Sequence, residues 1–275
     1  MPRLRRADEA GGLYHALNRG NGRLQIFWKD DDYSAFERIL AKGLKEYHVS
    51  VFSFPLRPNH WHLVLRPNVD GEMGRFLRWV TATHTMRSHA HDHTSGEGHV
   101  YQGRFKSFPI QDDEHFLTAC RYVERNALRA EFVSRAEEWR WGSLWHWNQK
   151  PEPKPPLLSS WPIPRPRGWI ERVNQPATEK ELAAVRDSVK RGCPFGDFEG
   201  VEPTVKELGL QSTVRPEDDL ATEIRPHSMT TSPDPVLLSS FYCLTLFIVA
   251  GGSPPWIKQR SLLQFRFLRA SVSLW

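Results

Sequence analysis

Asn59-His60-Trp61-His62-Leu63-Val64-Leu65 sets two imidazoles two residues apart in an otherwise apolar run. On a strand, side chains alternate, so His60 and His62 face one side and Trp61 the other. Further along, Tyr122-Val123-Glu124-Arg125-Asn126 lies in a helical stretch, where Tyr122 and Asn126, four apart, share a face. Two imidazoles, a carboxamide and a phenol could therefore converge on one point. Imidazole nitrogen plus amide oxygen suits a divalent ion such as Mg2+ or Mn2+ and leaves positions open for phosphate and water. A metal beside a phenol is the equipment for breaking a phosphodiester through a tyrosine. A free phenol has a pKa of about 10, so Tyr122 would need a neighbouring cation or base to attack at neutral pH.

Each residue also has a plainer reading. His60 and His62 could be half-buried polar residues of an edge strand. Tyr122 could be a core tyrosine with its hydroxyl bonded outward, given the apolar neighbours Cys120 and Val123. Asn126 could be a helix cap. His89-Ala90-His91-Asp92-His93 is a rival metal cluster, denser in histidine but placed in an expected loop with no nucleophile tied to it. Gln102-Gly103-Arg104-Phe105-Lys106 interleaves cations with an aromatic ring, as phosphate contact and base stacking require, and reads equally as a strand with one charged face. Arg19 and Arg23, flanking Gly20 and Gly22, offer a second phosphate-facing loop. Trp139, Trp141, Trp145 and Trp147 suit packing better than stacking on bases.

These residues need a scaffold to bring them together. Leu13–Arg19 alternates and runs into Gly20-Asn21-Gly22, a strand and its turn. Asp30-Asp31-Asp32 precedes Tyr33, Phe36, Ile39, Leu40 and Leu44 at helical spacing, with acids at the dipole's positive end. Strands follow at 49–54 and 60–66, then an amphipathic helix through Met73, Phe76, Leu77, Val80 and Thr81. Residues 84–99 read as a polar loop, Val100–Ile110 as a fourth strand, and Phe116, Leu117, Ala119, Cys120 and Val123 as the apolar side of a third helix. The order β-α-β-β-α-β-α implies an α+β, ferredoxin-like domain: an antiparallel sheet with helices on one face. Beyond it come a Pro-rich linker at 151–166, a helix at 179–191 ending at Gly192, and a short helix at 203–210. The expected division is 1–150 for the catalytic-type domain, 151–225 for linker and helical extension, and 226–275 for a tail without helical or strand register.

A chain of 275 residues, 39% hydrophobic, can bury a sizeable core. Its net charge of +5 is uneven: net +4 over residues 1–150, −2 over 151–225 and +3 over 226–275. A basic N-terminal half fits a polyanionic partner. Cys120, Cys193 and Cys243 form no CxxC pair, which argues against a zinc module or disulfide framework and fits a reducing cytoplasm. No apolar stretch follows the basic start, so no secretory leader is expected. The apolar run from Val236 to Ala250 is shorter than the ~20 residues a membrane span needs.

Taken together, these segments resemble the single-tyrosine HUH transposases, and within them the REP-associated tyrosine transposases. The likeness is carried by Tyr14-His15-Ala16-Leu17-Asn18-Arg19-Gly20-Asn21, Pro58-Asn59-His60-Trp61-His62-Leu63-Val64, Gly98-His99-Val100-Tyr101-Gln102-Gly103-Arg104-Phe105-Lys106-Ser107 and Tyr122-Val123-Glu124-Arg125-Asn126. Weaker likeness continues through Trp169–Pro176 to Arg191–Gly196. The resemblance implies that His60 and His62 bind metal with Asn126 as third ligand, and that Tyr122 is the nucleophile. It implies cleavage and rejoining of single-stranded or hairpin DNA through a 5′-phosphotyrosine link, by a monomer or homodimer, with Arg19, Arg23, Arg104 and Lys106 on the DNA. Two departures stand out. Ala127 follows Asn126 where relatives often carry Pro, and from Glu217-Asp218-Asp219 onward the chain turns acidic and then apolar, as a shifted reading frame or fused flanking DNA would make it. From the residues alone, the alternative is a hairpin DNA- or RNA-binding regulator that kept the fold without cleavage, or a metal-free RNA-binding domain. The intact set His60, His62, Tyr122 and Asn126 favours the enzyme.

Overall fold

β1 (Leu13–Arg19) sends Tyr14 and Ala16 to one side and Leu13, His15 and Leu17 to the other, and each set enters a separate apolar core. The computed structural model describes residues 6–92, 98–111, 113–149 and 157–214. The chain continues with α1 (Asp30–Glu46), β2 (Val49–Ser53), β3 (Leu56–Arg57), β4 (His60–Pro67), α2 (Glu72–Asp92), β5 (Lys106–Ile110) and α3 (Asp113–Glu124). The sheet runs in the order β2-β4-β1-β5 with antiparallel neighbours, and the short β3 folds back on the start of β4. This is the expected α+β, ferredoxin-like arrangement.

α1 and α2 cover the face that carries Trp61, Leu63 and Leu65. Phe36, Ile39 and Leu40 of α1 and Met73, Phe76, Leu77 and Val80 of α2 are all buried there. Burying a side chain of that size is worth about 1.5–3 kcal/mol each, so this layer holds the sheet flat against its helices. Gly43 lets the two helices meet, since a Cβ there would lie 2.7 Å from the Phe76 ring. The opposite face is not left open. α3 lies across it, with Phe116, Leu117, Cys120 and Val123 against Phe52, Val64 and Phe108. The one-face expectation therefore holds for α1 and α2, and α3 adds a second layer.

Two expected boundaries change. Residues 84–92, read as the start of a polar loop, continue α2 to Asp92. No Gly or Pro interrupts 75–92, and His84 is buried with its Nδ1 2.7 Å from the Tyr101 hydroxyl, which anchors the added turns. The fourth strand pairs regularly only from Lys106, because Gln102–Arg104 bend away after an isolated bridge between Tyr101 and Gly20.

After α4 (Asn126–Arg129) and α5 (Ser143–Asn148), the chain returns over the α3 layer through α6 (Trp169–Asn174) and α7 (Glu179–Arg191). α7 begins with a Thr178–Glu181 capping box and ends at Gly192 in the left-handed region (φ 76°), as its sequence implies. The short helix expected at 203–210 is instead α8 (Phe198–Glu207) followed by α9 (Gln211–Val214). Trp161 donates to the Phe52 carbonyl at 3.0 Å, and Phe195 pairs with the β5 edge. Residues 157–214 are thus packed onto the domain. The expected tail at 226–275 and residues 151–156 of the Pro-rich linker lie outside the described residues.

Candidate active site

Strand alternation on β4 places Trp61 in the α1–α2 core and His60 and His62 on the α3 face. Trp61 donates from Nε1 to the Tyr101 hydroxyl at 3.1 Å. His60 and His62 are 4% and 0% exposed, with ring centroids 5.0 Å apart. Burial, first of all, pushes both imidazoles well below their ordinary pKa, with Arg57 and Arg19 adding to it at His60 and with His15 and His60 adding to it at His62. Both rings are therefore neutral at physiological pH, the form that can ligate a metal.

The tautomer of His60 follows from its partner. His60 Nδ1 lies 2.6 Å from Asn59 Oδ1, an acceptor, so Nδ1 carries the proton and Nε2 a lone pair. His62 Nδ1 lies 2.8 Å from His15 Nε2, and His62 Nε2 is buried with no hydrogen-bond partner among the described residues. A proton on His62 Nδ1 would leave the His62 Nε2 lone pair for a metal. Asn126, fully buried, acts on His60 from α4, and its Oδ1 accepts from Arg57 Nη1 at 2.8 Å. Two neutral imidazoles and an amide oxygen with a lone pair to spare fit a divalent cation of the Mg2+ or Mn2+ kind. Among the described residues, no group of three or more His, Cys, Asp or Glu is arranged to hold a metal, so at this site the third ligand would have to be the Asn126 amide. The rival His89 and His91 fall in the last turn of α2, two residues apart and so on different faces, and His91 lies exposed beside Lys29 Nζ; His93 is outside the described residues.

Tyr122 arrives from the other layer. Its ring lies 6.1 Å from both the His62 and His15 rings, at the end of α3. The helix breaks at Arg125, yet the Arg125 and Arg129 amides still reach back four residues, so Tyr122 and Asn126 keep their shared face. Arg129 sits over the Tyr122 ring at 4.6 Å and reaches its hydroxyl at 3.4 Å, which supplies the cation a phenol nucleophile needs. Glu124, inside the same motif, points away. It accepts from Ser143 at 2.7 Å and from Trp169 Nε1 at 2.6 Å, with Arg165 at 3.5 Å, and its burial raises its pKa. It fastens the extension behind the site.

The four basic residues expected on DNA divide by exposure. Arg19 is opposite His60 in the β1–β4 register and bonds Gln102 Oε1 at 2.9 Å. Arg23 and Arg104 are exposed on the neighbouring loops, and Lys106 is exposed at the start of β5. The Gly20 turn that carries Arg19 and Arg23 requires glycine, because a side chain at Gly20 would collide with the Leu24 carbonyl oxygen.

Three residues at the site carry no role in the motif reading: His15, Arg57 and Arg129. Two of them had a faint signal. His15 interrupts the apolar alternation Leu13-His15-Leu17, and Arg129 is seven residues, two helical turns, past Tyr122. Arg57 becomes visible only when β3 folds onto β4 and sets it opposite His60.

Residues 11–126 match the family model of IS200-like transposases. No curated protein matches the chain. Among solved structures, a REP-associated tyrosine transposase bound to a REP hairpin is 17% identical, over 53% of this chain and 84% of that one, with a TM-score of 0.44. A candidate transposase from Deinococcus radiodurans R1 is 14% identical, over 49% of this chain and 96% of that one, with a TM-score of 0.33. The segment from Gly11 to Asn126, which holds the histidine pair, the tyrosine and the asparagine, is thus similar to the IS200-like transposases.

Proposed function

We propose that the protein cuts and rejoins single-stranded or hairpin DNA, with Tyr122 as nucleophile. The observation that carries this reading is the convergence of Tyr122, His60, His62 and Asn126 from two layers of the fold onto one face of the sheet. Tyr122 Oη forms a bond to phosphorus, the P–O3′ bond breaks, the phenolic proton leaves to water, and the 3′ oxygen takes up a proton. The products are a 5′-phosphotyrosine and a free 3′ hydroxyl, and reversal of the step rejoins the strand. Arg129 favours the phenolate. His60, His62 and Asn126 would hold Mg2+ or Mn2+, which when bound polarises the phosphate and stabilises charge on the departing oxygen. Arg19, Arg23, Arg104 and Lys106 line the β1–β5 side as a phosphate-facing edge. Among the described residues, no helix is long and apolar enough to cross a membrane.

The test is to incubate the protein with hairpin oligonucleotides and Mn2+ and to look for a covalent adduct on a denaturing gel. An adduct that Tyr122→Phe abolishes, with hairpin binding retained, supports the reading. Tight hairpin binding with no adduct from the wild-type protein makes it a binding regulator instead.

A further inference from the structure

Arg57 and Arg129 present an electrostatic arrangement that the fold alone does not explain. Arg57 is directed inward from β3. Its Nη1 reaches Asn126, its guanidinium lies 5.0 Å from the centroid of the Phe132 ring, and its Nε is buried with no hydrogen-bond partner among the described residues. Arg129 lies over the Tyr122 ring at the same site, close enough for its charge to act on Arg57. No carboxylate is among the charges acting on Arg57; burial and the Arg129 guanidinium lower its pKa to about 10. Among the described residues, neither arginine forms an ion pair. Like charges sharing a partly dry site destabilise the fold unless an anion joins them.

We infer that Arg57 and Arg129 form an anion clamp that grips the non-bridging oxygens of the phosphodiester to be cut and holds its phosphorus against Tyr122 Oη. This rests on the proposed role of Tyr122. The guanidinium fork matches a phosphate with two parallel hydrogen bonds, which a lysine cannot do. The two forks approach from β3 and from α4, so both are in place only when the hairpin of β3 and β4 is docked against the end of α3. Tyr122 and Arg129 also line a small cleft between α3 and α7. A phosphate seated there would replace the missing carboxylate and relieve the repulsion between the two cations. The clamp would also hold negative charge at the place where the transition state gathers it.

The test uses inorganic phosphate as the probe and protein treated with EDTA, so that neither metal nor DNA is needed. Calorimetric titration should show phosphate binding to the wild-type protein that weakens about tenfold or more in Arg57→Gln and in Arg129→Gln. It should stay unchanged in Arg38→Gln, an exposed arginine of α1. A melting temperature close to wild type in phosphate-free buffer confirms that each variant folds. Should Arg57→Gln not fold, Arg129→Lys serves, since it keeps the charge and loses the fork, and it too should bind phosphate more weakly. With hairpin DNA, adduct formation in Arg129→Gln should fall by about 100-fold or more, the scale of removing one donor from a charge-stabilising site. Unaltered phosphate affinity in Arg57→Gln and Arg129→Gln overturns the clamp, even if Tyr122 forms its adduct. Lost phosphate binding in those variants, with no adduct from the wild type, keeps the anion site and overturns the strand-transfer reading.

Discussion

Lowering the pH should destabilise the metal-free protein steeply, because three buried imidazoles cannot take up protons without leaving the fold. His15, His60 and His62 are 0%, 4% and 0% exposed, and burial lowers the pKa of each, that of His15 to about 3. The unfolded chain returns each to about 6.5. A depressed folded pKa means that stability is held above pH 6.5 and lost as pH falls below it. At pH 5.5 the unfolded state gains about 1.4 kcal/mol per histidine by binding a proton that the folded state refuses, so the three together cost about 4 kcal/mol relative to pH 7.5. That is a large part of the 5–15 kcal/mol that typically holds a domain together. Glu124 acts in the opposite sense: its raised pKa contributes stability at low pH that is lost as pH rises. A difference between variants removes that contribution. Urea denaturation in EDTA, at pH 7.5 and 5.5, should show a loss on acidification that is smaller by about 1.4 kcal/mol in His15→Gln than in the wild type. Glutamine keeps an acceptor for His62 Nδ1. An equal loss in both proteins would refute the assignment of a buried, neutral His15.

The other expectations follow from single contacts. His60→Ala and His62→Ala should each weaken Mn2+ binding in a calorimetric titration by tenfold or more while His91→Ala does not, on the scale of losing a ligand or its support; equal loss at His91 would move the site to the end of α2. Glu124→Ala should cost about 3 kcal/mol in urea denaturation, since it leaves Trp169 Nε1 and Arg165 without their acceptor; a change under about 0.5 kcal/mol would deny it the fastening role. DNA affinity should fall steeply with salt, and Arg104→Ala should lower the slope by roughly one phosphate contact. An affinity independent of salt would remove the basic edge from the binding surface.

Periodicity made half of the site legible. The two-residue repeat of a strand put His60 and His62 opposite Trp61, and the helical spacing of Tyr122 and Asn126 survives the break at Arg125. Those relations are local, and a linear sequence displays them. Arg57 and Arg129 meet the site only through the fold of β3 onto β4 and the docking of α3, contacts between residues far apart in the chain. The loop expected at 84–99 illustrates a second limit. Its histidines and serines look solvent-facing, yet the buried bond from His84 to Tyr101 settles the helix from a distance. The strand expected from Val100 likewise yields to the bend at Gln102–Arg104, which leaves Arg104 exposed on a loop rather than paired in the sheet.

The central claim concerns one oxygen atom, and mapping the covalent adduct tests it most directly. After reaction with a hairpin oligonucleotide and Mn2+, nuclease trimming and trypsin cleavage should leave a nucleotide mass on the peptide Tyr122-Val123-Glu124-Arg125, bounded by Arg121 and Arg125. Fragmentation should place that mass on Tyr122. A nucleotide on any other residue, or an adduct that persists in Tyr122→Phe, would contradict the account.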